Sequence, residues 1–188
     1  MPISFVKIAA ITSALLAGVL IVAAHRRRPE LLTSETALSI YFTDPTRSIM
    51  KFAYAAIAAS LVSTAFVIGI NKHAASLVAA VACCVCALFL IPVVATTQRN
   101  STIVRSDAIR RTHRYTAATA FASAGAAMAV SAIDAAIGGK TTVAILGIAG
   151  VVLVSRALVS KPGPTHGLRQ KQFLVVLGFW IVTTAFTG

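Results

Sequence analysis

The sequence predicts an all-α fold, a polytopic membrane helix bundle with six transmembrane helices. Hydrophobic residues make up 57% of the 188 residues, and the mean hydropathy is +0.86. Charged residues make up 12%, against roughly 25% in an ordinary soluble domain. The hydrophobic residues lie in six long runs, whereas the strands of a transmembrane barrel would be short and would alternate polar with apolar residues. The composition therefore excludes an ordinary soluble protein, and the runs favour helices over a barrel.

The six predicted spans form a single domain over residues 1–188. A helix needs about 20 mostly apolar residues to cross a hydrocarbon core about 30 Å thick. Because backbone groups in lipid must be hydrogen-bonded within the protein, each run is predicted to be helical throughout. The predicted spans are residues 3–24, 51–70, 74–95, 115–137, 141–160 and 172–187.

The first span has an alternative interpretation, a cleaved signal peptide. Lys7 would be its positive residue, and the small residues at 22–24 resemble a cleavage site. Arg26, Arg27 and Arg28 follow at once, however, and such a basic flank is typical of a stop-transfer sequence. We therefore interpret residues 3–24 as a retained membrane helix.

The connections between the spans alternate between long and short. Residues 71–73 and 138–140 are tight connections, and each predicts a hairpin of two antiparallel helices. The longer connections contain signals for a helix start. Asp44 and Pro45 predict that the second helix begins ahead of the membrane, and Asp107 is predicted to cap the fourth.

The basic residues are distributed unevenly along the chain. Fourteen of the 17 Lys and Arg residues lie in or beside the first, third and fifth connections, and Lys7, Lys72 and Lys140 are the exceptions. Because cytoplasmic loops collect Lys and Arg, we predict that these odd-numbered loops are cytoplasmic and that both termini lie outside the cell membrane. Tyr41, in the first connection, is predicted to anchor at the membrane interface.

The basic rim at the predicted cytoplasmic face is the candidate binding surface. A cluster of Arg residues near a helix start suits anionic lipid headgroups or a phosphate-bearing ligand. The alternative is that these charges serve only as a topology signal. The net charge of +12 is not interpreted as a nucleic-acid signal, because the apolar runs leave no room for a separate binding domain. The candidate residues are Arg26, Arg27, Arg28, Asp107, Arg110, Arg111, His113 and Arg114.

Two ionisable residues within the spans are predicted to be structural. Asp134 lies near the outer end of the fourth span and Arg156 near the inner end of the fifth, so their depths differ too much for an ion pair. Asp134 is expected to reach Lys140 or outer water, and Arg156 to extend to the cytoplasmic headgroups.

No metal or cofactor is predicted. Cys83, Cys84 and Cys86 lie in the middle of the third span without further ligands for a tetrahedral site, so we expect them to pack as small apolar residues. Haem in a bundle would need facing histidines at one depth, and His25 and His113 approach this only at the membrane edge.

Three short stretches stand ahead of the second, fourth and sixth spans: Leu38-Ser39-Ile40-Tyr41, then Asp107 with Thr112-His113, then Gly167-Leu168-Arg169-Gln170-Lys171 ahead of Trp180. Their order resembles the domain-of-unknown-function 998 family, small bacterial integral membrane proteins of about six helices. The resemblance covers nearly the whole chain and implies architecture alone, since the family has no established reaction. The chain departs from the family pattern at residues 40–42, which lack an acidic residue and a glycine, and at Arg169, which precedes Gln170.

The function favoured by the sequence is binding rather than catalysis. No P-loop, GxSxG or HExxH motif occurs, so no catalytic residue is predicted. We expect an accessory subunit of a larger membrane complex, or a bundle that binds lipid or another ligand, with anionic membrane lipids as partners. Two alternatives remain open. A transporter of small or lipidic solutes would use Ser60, Ser63, Thr64 and Ser123, and an interfacial enzyme acting on lipid headgroups would use Asp107 and His113.

Overall fold

The computed structural model describes residues 2–31, 41–42, 45–70, 73–96, 107–159 and 165–188, and in these residues it contains helices and no strand. The prediction of an all-α fold with six helices is confirmed. The helices are α1 (Ile3–Arg27), α2 (Arg47–Gly69), α3 (Ala74–Ala95), α4 (Asp107–Ile137), α5 (Thr141–Val159) and α6 (His166–Thr187), and a 3₁₀ turn at Pro29–Leu31 follows α1.

Five of the helices, α1 to α5, are long and apolar enough to cross a membrane. The sixth, α6, contains Arg169 and Lys171 close to its start, and its crossing stays a prediction. Several helices extend beyond the predicted spans. The 31 residues of α4 would measure about 46 Å at 1.5 Å each, more than a hydrocarbon core of about 30 Å. A membrane-crossing α4 would therefore extend past the core.

The start of α2 differs slightly from the prediction. The helix does begin ahead of the predicted span at 51–70, but Pro45 lies in a turn and Thr46 occupies the N-cap position. Asp44 lies outside the described residues. The Thr46 hydroxyl donates to the carbonyl oxygen of Tyr41 at 2.6 Å, which ties the helix start to the segment before it.

Successive helices pack against one another around the bundle. Each of α1 to α5 contacts the next helix along the chain, and α6 also packs against α1 and α2, which closes the bundle. The predicted hairpin between α4 and α5 is confirmed. Its turn contains Gly139 with a φ of 71°, a left-handed conformation that favours glycine.

Small residues bring α4 and α5 close together. A Cβ added at Gly147 would lie 2.6 Å from the carbonyl oxygen of Met128 and 2.7 Å from the Cβ of Ala132. This close approach is typical of helices that pack in lipid through small residues. Cys83 and Cys86 are buried, Cys84 is exposed, and all three are free thiols.

The outside of the bundle is strongly apolar. The side chains of Phe52, Phe66, Leu88 and Ile91 are each more than 60% exposed. Soluble monomers rarely expose large apolar patches, whereas lipid would cover such a surface. Inside, the core is built around Trp180, Phe173, Leu61 and Met128, all of them buried.

Candidate functional site

One end of the bundle collects most of the described basic residues, and we call it the basic end. Three contacts bring helix ends together there: the His25 ring packs on the Tyr41 ring, Thr96 bonds His113, and Arg169 donates to the Arg156 carbonyl oxygen. The end of α1, α3 and α5 and the start of α2, α4 and α6 therefore share this end. Its described basic residues are Arg26, Arg27, Arg28, Arg47, Lys51, Arg111, Arg114, Arg156, Arg169 and Lys171.

The candidate residues on α1 lie in its last turn and just beyond. Arg26 and Arg27 are exposed. Arg28 is partly buried and forms an ion pair with Glu30. This hydrogen bond from Arg28 lowers the pKa of the Glu30 carboxyl below its ordinary value. Arg26 and Arg27 thus present their charge to the surroundings, whereas Arg28 is held against an acid.

The candidate residues on α4 lie in its first two turns. Arg111 and Arg114 are exposed, and His113 is partly buried with its Nδ1 3.1 Å from the Thr96 hydroxyl oxygen on α3. Asp107 and Arg110 belong to the same stretch of helix, but their side chains lie outside the described ones. The prediction that Asp107 caps α4 is therefore untested, and Arg111 and Arg114 lie exposed at the basic end.

An aromatic cluster lies beneath the basic end, and it corrects the prediction for Tyr41. Tyr41 is 0% exposed rather than anchored at an interface, because it is covered by its neighbours. Its ring centroid lies 4.5 Å from that of His25, and the Lys171 ammonium lies 5.9 Å from the Tyr41 ring. Burial raises the pKa of the Tyr41 phenol and lowers the pKa of the Lys171 ammonium. The cluster thus links α1, α6 and the segment before α2.

A pocket of about 320 Å³ lies at the opposite end of the bundle, and we call it the distal pocket. Its lining includes Ser131 on α4 and Thr184 on α6, each residue only 7% exposed. Asp134 also lines the pocket and is partly buried, whereas His73 and Lys140 in the lining are exposed. We call the two buried residues the floor of the pocket and the two exposed ones its rim.

Asp134 was expected to reach Lys140 or outer water; between these two described residues the ion pair is not observed, and the contact with outer water stays a prediction. Instead, Asp134 Oδ2 accepts a hydrogen bond from Ser76 on α3 at 3.4 Å. Ser131 and Thr184 were not among the residues predicted from the sequence. The spacing of Ser131 and Asp134, three residues apart and so on one helix face, was the available signal.

The described residues include no group of three His, Cys, Asp or Glu side chains that could hold one metal ion. The two histidines nearest to a haem-binding arrangement have other partners. His25 Nδ1 lies 2.7 Å from the Ile21 carbonyl oxygen, and His113 bonds Thr96. The candidate binding groups among the described residues are the exposed arginines of the basic end and the residues of the distal pocket.

Comparison with models of known protein families, with curated proteins and with solved structures finds no match for this chain. The resemblance to the domain-of-unknown-function 998 family therefore stays a prediction.

Proposed function

We propose that this chain is a multi-pass integral membrane protein that acts by binding, and that its basic end holds anionic phospholipid headgroups at the cytoplasmic face. The observation that carries this proposal is the exposure of arginines from two separate helices, α1 and α4, at one end of an apolar bundle. An accessory subunit of a larger membrane complex would use the same surface to fix its depth and orientation.

The chemistry of the basic end suits phosphate. A guanidinium presents a fork of donors that matches phosphate oxygens, and it stays charged at any physiological pH. Glu30 forms its ion pair with Arg28. That ion pair does not compensate the charges of Arg26 and Arg27, which are exposed. Each Lys or Arg near an anionic membrane surface contributes about 1 kcal/mol.

The test is lipid retention by the purified bundle. Replacing Arg111 and Arg114 together with Gln should weaken retention of anionic lipid by about 2 kcal/mol, roughly thirtyfold, when native mass spectrometry is run on equal mixtures of anionic and zwitterionic lipid. The effect should shrink at high ionic strength, because exposed charges are screened over about 8 Å in physiological salt.

A control removes a charge away from the basic end. Lys7 on α1, replaced with Gln, should leave anionic-lipid retention unchanged. Equal retention of anionic and zwitterionic lipid by the wild type and both variants would refute the proposal.

The proposed orientation places both termini outside the cell and the odd-numbered loops in the cytoplasm. It is supported by the gathering of basic residues at one end of the bundle, since cytoplasmic loops are enriched in Lys and Arg. Reporter fusions after Gly188 should be active outside the cytoplasm, and fusions after Ser101 inside it. The reverse pattern would contradict the orientation and move lipid binding to the outer leaflet.

One observation counts against the alternative of a transporter with a polar midplane. The Ser60 hydroxyl donates to the Ile57 carbonyl oxygen at 2.7 Å, and the Thr64 hydroxyl donates to the Ser60 carbonyl oxygen at 2.8 Å. Both hydroxyls are thus satisfied within α2, which is the common arrangement of Ser and Thr in membrane helices.

A further inference from the structure

The floor of the distal pocket contains two buried hydroxyls without a hydrogen-bond partner in the described protein. Ser131 and Thr184 are each 7% exposed, and the oxygens of both side chains are unpaired. Buried polar groups in folded proteins are almost always paired, with protein, water or a ligand. Ser131 on α4 and Thr184 on α6 both line one cavity, so rotation of each side chain would bring its hydroxyl to a single bound group.

The carboxylate in the lining of the pocket indicates which chemical group could bind there. Asp134 lies on α4 three residues after Ser131, so both project from the same face of the helix. Its described side-chain hydrogen bond is the one from Ser76 at 3.4 Å, whereas an ionised carboxylate can accept about four. A carboxylate with spare acceptor capacity beside two hydroxyls is suited to a positively charged donor.

The size of the pocket favours an organic cation over a metal ion. Its volume of about 320 Å³ matches the lower end of small-molecule pockets, about 300–1,000 Å³. Within the described part of the chain, no three His, Cys, Asp or Glu residues are grouped as metal ligands. A small organic ligand therefore accounts for the volume and the donor set together.

We propose that the distal pocket binds a ligand that carries a protonated primary amine. The ammonium bonds the Asp134 carboxylate and the Ser131 and Thr184 hydroxyls, and the rest of the ligand extends toward the rim. Lys140 and His73 on that rim can meet an anionic group attached to the amine. Such an ammonium comes either from a free solute or from the ethanolamine headgroup of a phospholipid. The proposal is independent of lipid binding at the basic end.

The first experiment uses n-butylammonium as the probe and the neutral n-butanol and sodium chloride as comparisons, all at millimolar concentration. Saturation-transfer NMR compares butylammonium with butanol, and thermal unfolding of the full chain in detergent compares all three. Both measurements should show binding of butylammonium alone. Asp134→Asn should raise its Kd at least about tenfold, the effect of losing one charge-assisted hydrogen bond. Ser131→Ala and Thr184→Val should each raise the Kd about three- to tenfold.

The matched controls are Ser123→Ala on α4 and Thr183→Val on α6, which change the same residue types on the same helices outside the pocket lining. Both should bind butylammonium as the wild type does. Circular dichroism and gel filtration check that each variant folds. If Asp134→Asn fails to fold, the two hydroxyl variants decide the outcome.

The second experiment identifies the source of the ammonium. Native mass spectrometry on mixtures of phosphatidylethanolamine and phosphatidylcholine compares a headgroup that can donate N–H bonds with one that cannot. Preference for phosphatidylethanolamine that is lost in Thr184→Val assigns the site to a lipid headgroup. Butylammonium binding without a lipid preference assigns it to a free solute. The proposal is overturned if neither amine binds, if butanol or sodium binds equally well, or if the pocket variants bind as tightly as their controls.

Discussion

Replacing Gly147 with Ala should disrupt the packing of α4 against α5. The added Cβ would lie 2.6 Å from the Met128 carbonyl oxygen and 2.7 Å from the Ala132 Cβ. Ordinary contacts between carbon atoms are about 3.5–4.0 Å, so the overlap is about 1 Å. The two obstructing atoms belong to backbone and to a rigid methyl group, so the helices themselves must separate.

The magnitude follows from two opposing effects. Overpacking of this kind costs about 1–3 kcal/mol. Alanine is favoured over glycine in a helix by about 0.5–1 kcal/mol, which offsets part of that cost. We therefore expect Gly147→Ala to lower the free energy of unfolding by up to about 2.5 kcal/mol.

The assay is reversible unfolding in mixed micelles with increasing SDS, followed by circular dichroism. Gly178→Ala and Gly18→Ala are matched controls, because a Cβ at either glycine meets nothing within 4 Å. Both should be unchanged or stabilised by up to about 1 kcal/mol. If Gly147→Ala is as stable as these controls, the close approach of α4 and α5 does not constrain the fold and the reasoning fails.

Three further predictions concern the basic end. Thr46→Val removes the buried bond to the Tyr41 carbonyl oxygen and should cost about 1–2 kcal/mol in the same unfolding assay, whereas Thr187→Val at an exposed site should cost less than half of that. Arg28→Gln should raise the pKa of Glu30 toward its ordinary value, since the ion pair favours the charged carboxylate. The stability that this ion pair contributes is present above the ordinary pKa of Glu30 and is lost as the pH falls through its lowered pKa. An NMR titration of labelled Glu that shows no rise would contradict this. Tyr41→Phe removes a buried hydroxyl without a described partner, so stability should stay equal or rise, and a loss above about 1 kcal/mol would show that the hydroxyl is satisfied.

The positions of the helices were largely predictable because hydropathy is a property of consecutive residues. The span predicted at 74–95 coincides with α3, and that at 141–160 differs from α5 by one residue. The start of α4 was predicted from Asp107, whereas α6 begins at His166 in polar sequence, ahead of the predicted span at 172–187. The position of Asp134, near the end of α4 that lies away from the basic end, was predictable. Its hydrogen bond from Ser76 was not.

The sequence by itself determined the helical class, the order of the helices and the alternation of basic and non-basic connections. These properties depend on local apolar runs and on the distribution of charge along the chain, and neither needs a packing partner. Only the tertiary structure decided that Tyr41 is buried against His25 and that α6 closes the bundle against α1 and α2. It also brought Ser131 and Thr184 into one cavity, although 53 positions separate them in sequence. The physical reason is that close packing and hydrogen bonding decide which sides of helices in lipid face one another. In a run of apolar residues of similar hydropathy, the sequence gives little indication of which side that is.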